Sequence, residues 1–96
     1  MERNRTYVDI EETGSDDVNI NMYFGAKIDK IQFTFDDDVE IKKIEKDNIR
    51  DYSITINGER RRFPENGFSL HNGDEVKIKI YQIDKNIPST ITFSTL

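Results

Sequence analysis

The sequence predicts an all-β protein, a single antiparallel β-sandwich of about seven to eight short strands. Three observations carry that prediction. Apolar residues recur at every second position through most of the chain, turn-forming residues fall between those runs, and no segment fits the three-and-four spacing of an amphipathic helix well.

Taken in order, residues 1–5 are expected to be a flexible N-terminus, and residues 6–96 form one domain. The first turn, T-G-S-D-D at 13–17, precedes Val18, Ile20, Met22 and Phe24, which alternate with Asn19, Asn21 and Tyr23. After G-A-K at 25–27, Ile31, Phe33 and Phe35 alternate with Gln32 and Thr34, and D-D-D at 36–38 closes that run. Residues 39–51, V-E-I-K-K-I-E-K-D-N-I-R-D, have the charge of a helix. Val39, Ile41, Ile44 and Ile49 match a helical stripe poorly, so a strand over 39–44 followed by a loop is expected. Three more alternating runs follow: Tyr52, Ile54 and Ile56; Val76, Ile78 and Ile80; Ile91 and Phe93. They are punctuated by N-G at 57–58, P-E-N-G at 64–67, N-G-D at 72–74 and K-N-I-P at 85–88. Alternation gives each strand one wet and one buried face, which suits two antiparallel sheets packed face to face.

A chain of 96 residues has room for one core. Its net charge of −5 sets long-range repulsion against a phosphate backbone, so a nucleic-acid partner is not expected. No apolar run reaches bilayer-spanning length and the N-terminal residues lack the apolar stretch of a signal peptide; no membrane partner is expected, and a complete chain would be cytoplasmic or part of a virion. Without cysteine there are no disulfides, thiolate metal sites or cysteine nucleophiles.

The most distinctive stretch is N-G-E-R-R-R-F, residues 57–63. Asn-Gly supplies the two positive φ angles of a type I′ turn, and a two-residue loop sets Ile56 opposite Glu59, Thr55 opposite Arg60, Ile54 opposite Arg61 and Ser53 opposite Arg62. Arg60 and Arg62 then join Ser53 and Thr55 on the wet face, while Arg61 must reach water at a rim. Charge along an edge strand discourages sheet-to-sheet pairing. The functional alternative is that Arg60 and Arg62 grip carboxylates or phosphates of a partner with two guanidinium forks.

Tyr23 lies on the polar phase of its strand, and Tyr81 follows Ile80 where the alternation is expected to slip. Both are candidates for an interface or for stacking on a sugar, against the plainer role of cross-strand surface partner. Asp36, Asp38 and Glu40, with Asp16 or Asp17, would offer oxygen ligands to calcium, but they lack EF-hand spacing and no metal is assigned. His71 reads as a turn residue. Neither a nucleophile elbow nor a nucleotide-binding glycine loop is present, so the chain reads as non-enzymatic and without a cofactor.

The segment I-T-I-N-G-E, with F-S-L-H-N-G-D-E-V-K-I-K-I after it, resembles the closing strands of immunoglobulin-like modules in bacterial surface and phage virion proteins. It also resembles parts of ubiquitin-like β-grasp domains, over about thirty residues. The chain ends S-T-L rather than in the Gly-Gly of β-grasp sulfur carriers, and six or more strands without a helix favour the immunoglobulin-like likeness, although the cysteine pair and core tryptophan of antibody domains are missing. The resemblance implies a structural or protein-binding module of a larger assembly, with a protein partner or assembly subunits and association through an edge strand. Two other functions fit the composition. A small acidic inhibitor of a host or defence protein would gather Asp and Glu on one face, and a carbohydrate-binding module would align Tyr23 with Tyr81.

Overall fold

Side chains in V-N-I-N-M-Y-F alternate between buried and half-buried along the whole of Val18–Phe24, the pattern of a strand with one face in a core. In the computed structural model, which describes residues 5–14, 16–61 and 67–96, the same alternation organises ten strands and no helix among the described residues. They are β1 (Tyr7–Glu12), β2 (Val18–Phe24), β3 (Lys30–Thr34), β4 (Val39–Ile41), β5 (Lys43–Asp47), β6 (Ile49–Ile56), β7 (Glu59–Arg61), β8 (Phe68–Leu70), β9 (Glu75–Gln82) and β10 (Ser89–Ser94).

Every pairing is antiparallel. One sheet runs β1-β2-β10-β5, a second β3-β9-β6-β7, and β4 and β8 form a small third. All three drain into one apolar cluster: Ile20, Met22, Phe24, Ile91 and Phe93 from the first sheet, Ile31, Ile54, Ile56, Val76, Ile78 and Ile80 from the second, and Ile41 and Leu70 from the third. Phe35, just past β3, is equally buried.

The count of ten, where seven to eight were expected, comes partly from β1, which lies outside the expected runs, and partly from residues 39–51. The expected strand over 39–44 is broken at Lys42, and the expected loop after it is itself strand. Ile41, Ile44 and Ile49 all face the core, but each from a different sheet. Their spacing therefore belongs to neither a single strand nor a helix. Lys42 donates its backbone N–H to the Ser94 carbonyl at 2.8 Å, and Asn48, at φ 58°, turns the chain from β5 into β6. A second expectation also fails: the alternation does not slip at Tyr81. Ile80 points in, Tyr81 out, and Gln82 back in, where it donates to the hydroxyl of buried Ser89 at 3.0 Å.

Of the turn glycines, Gly67 has the least freedom to change. Its φ of +88° is left-handed, and a Cβ there would collide with the Ile41 carbonyl oxygen in the neighbouring strand. Gly73, at φ +92°, has open space around it. Replacing Gly73 with alanine is therefore expected to cost about 1 kcal/mol of unfolding free energy from backbone conformation alone. Gly67→Ala should cost about 2 kcal/mol or more, because strand β4 must also move. Urea denaturation of the two variants checks this, and equal losses would count against the close approach of Gly67 to β4.

Candidate protein-binding face

The arginine hairpin forms as its Asn-Gly turn demands. Asn57 and Gly58 take φ of 53° and 80°, and the register is Ile56 to Glu59, Thr55 to Arg60 and Ile54 to Arg61. Arg61 lies beside the core residue Ile54, yet β7 is the edge strand, so its side chain stays 51% exposed and reaches the Glu59 carboxylate at 3.6 Å. Arg60 points the other way, onto the outer face. Arg62 lies outside the described residues.

A second turn braces the hairpin. The Asn57 amide donates to Asp74 Oδ1 at 2.9 Å, the Glu75 N–H donates to Asn57 Oδ1 at 2.9 Å, and the His71 N–H donates to Asp74 Oδ2 at 2.8 Å. Asn57 thus supplies both the turn's φ and the tie to the turn between β8 and β9. The bonds from His71 and Asn57 hold the Asp74 carboxyl below the usual carboxylate range.

Cross-strand register builds the outer face of this sheet in rows. Gln32, Lys77, Thr55 and Arg60 form one row across β3, β9, β6 and β7; Lys30, Lys79 and Ser53 form the next; Tyr81 and Asp51 form a third. Lys30 and Lys79 stand directly opposite, a like-charge pairing that disfavours the fold slightly. Among the described residues, Lys30, Lys77, Lys79, Arg50 and Arg60 have no ion-pair partner. The Lys79 ammonium lies 5.4 Å from the Tyr81 ring centre.

Two shallow depressions meet at Tyr81 and Arg50. One, of about 410 Å³, also takes in Ser53 and Arg60; the other, of about 340 Å³, takes in Lys27, Lys79 and Lys85. Beyond them is a loop bound to Asn48, whose side chain accepts from the Asp84 N–H at 2.8 Å and donates to the Asp84 carbonyl at 2.9 Å and the Ser89 hydroxyl at 3.1 Å. That braced loop displays Ile83 at 70% exposure and Ile87 at 48%.

The structure thus brings two of the sequence-derived candidates, Arg60 and Tyr81, into one depression. Tyr23 is elsewhere, on the outer face of the first sheet, stacked on Tyr7 across the strand pair with ring centres 4.5 Å apart. Burial, then the neighbouring Tyr7, Asp9 and Glu11, raise its pKa above the ordinary tyrosine value. Tyr23 and Tyr81 therefore do not form a shared stacking platform. Lys77 and Lys79 were legible as the outward phase of V-K-I-K-I-Y; Arg50 was not, because it sits where the β6–β9 register shifts between Ile49 and Asp51.

The acidic residues weighed as calcium ligands serve separate turns. Asp38 Oδ1 accepts from the Asn72 N–H at 3.0 Å and lies 3.5 Å from His71 Nδ1, while Asp17 accepts from the Thr95 hydroxyl at 3.2 Å. No group of three His, Asp or Glu among the described residues is arranged to hold a metal ion. Comparisons with protein families, characterised proteins and solved structures find no match to this chain.

Asp74 gives this brace a pH dependence of known sign. A carboxyl whose pKa is lower folded than unfolded stabilises above its unfolded value, about pH 4, and that stabilisation disappears as pH falls through the lowered folded value. Asp74→Asn should therefore melt below the wild type at neutral pH, with the difference closing as the pH falls through the lowered folded value. Thermal midpoints over that range provide the check; a gap that stays constant with pH would mean that the carboxylate's charge is not what holds the turn.

Proposed function

We propose that this chain is a non-enzymatic protein-binding module of a larger assembly, built as an immunoglobulin-like sandwich, and that it grips an acidic protein surface with the outer face of the β3-β9-β6-β7 sheet. One observation carries the reading: Arg50, Arg60 and Tyr81 line a single depression, with Asp51 beside them, and neither arginine has an ion-pair partner among the described residues. Arginine and tyrosine dominate the energetics of protein interfaces because they give large contact area at small conformational cost. Ile83 adds an apolar contact on a loop already ordered by Asn48, so little further entropy is lost on docking.

The non-enzymatic part of the reading is supported by His71, which sits 68% exposed beside Asp38 in a turn. A virion or cell-surface setting follows only from the sequence resemblance. A second reading, the acidic inhibitor, draws support from the opposite sheet, where Asp9, Glu11, Glu45 and Asp47 share an outer face.

The test uses a fluorescent peptide of alternating acidic and aliphatic residues as a stand-in for the partner, followed by anisotropy. Arg60→Lys keeps the charge but loses the fork, and should weaken binding by about 1 to 3 kcal/mol, a factor of about 5 to 150, with an unchanged thermal midpoint. Tyr81→Ala should weaken it similarly, whereas Tyr23→Ala should leave it as it was. Equal affinity for the wild type and Arg60→Lys would reduce Arg60 to an edge guard.

A further inference from the structure

We propose that the acidic surface recognised by this basic face is carried by a second copy of the same chain: the outer face of its β1-β2-β10-β5 sheet. The inference rests on reading the β3-β9-β6-β7 face as protein-binding, and it names the partner.

The acidic face is laid out by the same kind of register. Its rows are Tyr7, Tyr23, Thr90 and Asp47; then Asp9, Asn21, Thr92 and Glu45; then Glu11, Asn19, Ser94 and Lys43. Carboxylates occupy both edge strands, and a neutral strip of amides and hydroxyls lies between them, tied by the Thr92 hydroxyl and Asn21 Oδ1 at 3.0 Å. The one cation in these rows, Lys43, is already 3.5 Å from Glu45.

Both faces are four strands wide. Lys30 and Arg60 stand on the two edge strands of the basic face, which are three strand spacings or about 14 Å apart, with Arg60 one row further along than Lys30. Asp9 and Glu45 stand on the two edges of the acidic face, separated by the same three spacings. On each face an aromatic row adjoins a charged row: Tyr81 beside Lys30 and Lys79, and the Tyr7–Tyr23 stack beside Asp9 and Glu45. The faces match in width and in the order of rows, and their excess charge is of opposite sign, with Asp51 in the Tyr81 row and Glu75 on the outward phase of β9 as the carboxylates of the basic face.

The net charge of −5 does not prevent such docking at physiological ionic strength. The shortest extent of the molecule is 23 Å, about three times the screening length of about 8 Å, so charge on the far side of a docking surface is largely screened. Because the two surfaces differ, the contact is heterologous: each docked pair leaves one basic and one acidic face open, which propagates to a ring or a filament. That is the behaviour of an assembly subunit.

Sedimentation equilibrium of the full chain at physiological salt, taken to about 1 mM, tests this directly. The wild type should associate beyond a dimer. A basic-face reversal, Lys77→Glu with Lys79→Glu, should be monomeric, and so should an acidic-face reversal, Asp9→Lys with Glu11→Lys. An equimolar mixture of the two should associate again, since each retains the face the other has lost. Lys42→Glu with Lys46→Glu carries the same change in net charge away from the outer face, and should associate like the wild type. If a reversal fails to fold, the neutral changes Lys77→Gln with Lys79→Gln, and Asp9→Asn with Glu11→Gln, take its place and should weaken association at least about tenfold. A wild type that stays monomeric, reversals that associate unimpaired, or a mixture that stays monomeric would each overturn the proposal. The peptide assay separates the two levels of failure. Peptide binding by a monomeric wild type overturns only the identity of the partner, whereas loss of both overturns the protein-binding face itself.

Discussion

Everything in this molecule depends on three sheets sharing one apolar cluster. Because the inward residues of β2, β4, β6, β8, β9 and β10 meet in the same core, the phase of each strand is set by which of its residues must be dry. The outward residues are then set too. Lys77, Lys79 and Tyr81 project together because Val76, Ile78 and Ile80 are buried together, and Asn19, Asn21 and Tyr23 project together because Ile20, Met22 and Phe24 are buried. The candidate face is thus the reverse side of the core pattern.

Core burial fixes the faces of strands but not the positions of their ends, and here two asparagines do that work. Asn57 and Asn48 both adopt positive φ, and both side chains bond to a neighbouring turn: Asn57 to the Asp74 turn, Asn48 to the loop at Asp84 and to Ser89. Each secures one end of β6, the strand that brings Arg50 and Ser53 beside Tyr81. With both ends of β6 held by these bonds, the depression is formed by the chain alone, which would lower the entropy lost if a partner docked there. The face gives up some stability in return, since Lys30 and Lys79 oppose each other with no described carboxylate between them.

Net charge proved a poor guide to surface character. An excess of acidic residues suggests a uniformly negative particle, yet cations gather on one sheet and carboxylates on the other. The raised pKa of Tyr23 reports the second of these fields, since Asp9 and Glu11 contribute to it after burial and Tyr7. Screening makes the local pattern, rather than the sum, the quantity a docking partner meets.

The alternation of apolar residues and the Asn57-Gly58 turn were enough, read from the sequence, to give an all-β antiparallel fold, the inward set from Val18 to Phe93, and the pairing of Arg60 with Thr55. These are short-range matters, decided by side-chain period and by the φ angles a residue tolerates. Residues 39–51 were misjudged because Ile41, Ile44 and Ile49 serve three sheets, and a one-dimensional period cannot show a chain changing sheets. Tyr81 was singled out, but on a supposed slip of phase that does not occur; Arg50 was missed because its position depends on a register shift. Which charged residues share a sheet face, and that Arg60 and Tyr81 line one depression while Tyr23 lies on another sheet, was decided only by tertiary structure. Those contacts follow from strand order, and strand order depends on how distant segments share one core, a property that no local stretch of sequence contains.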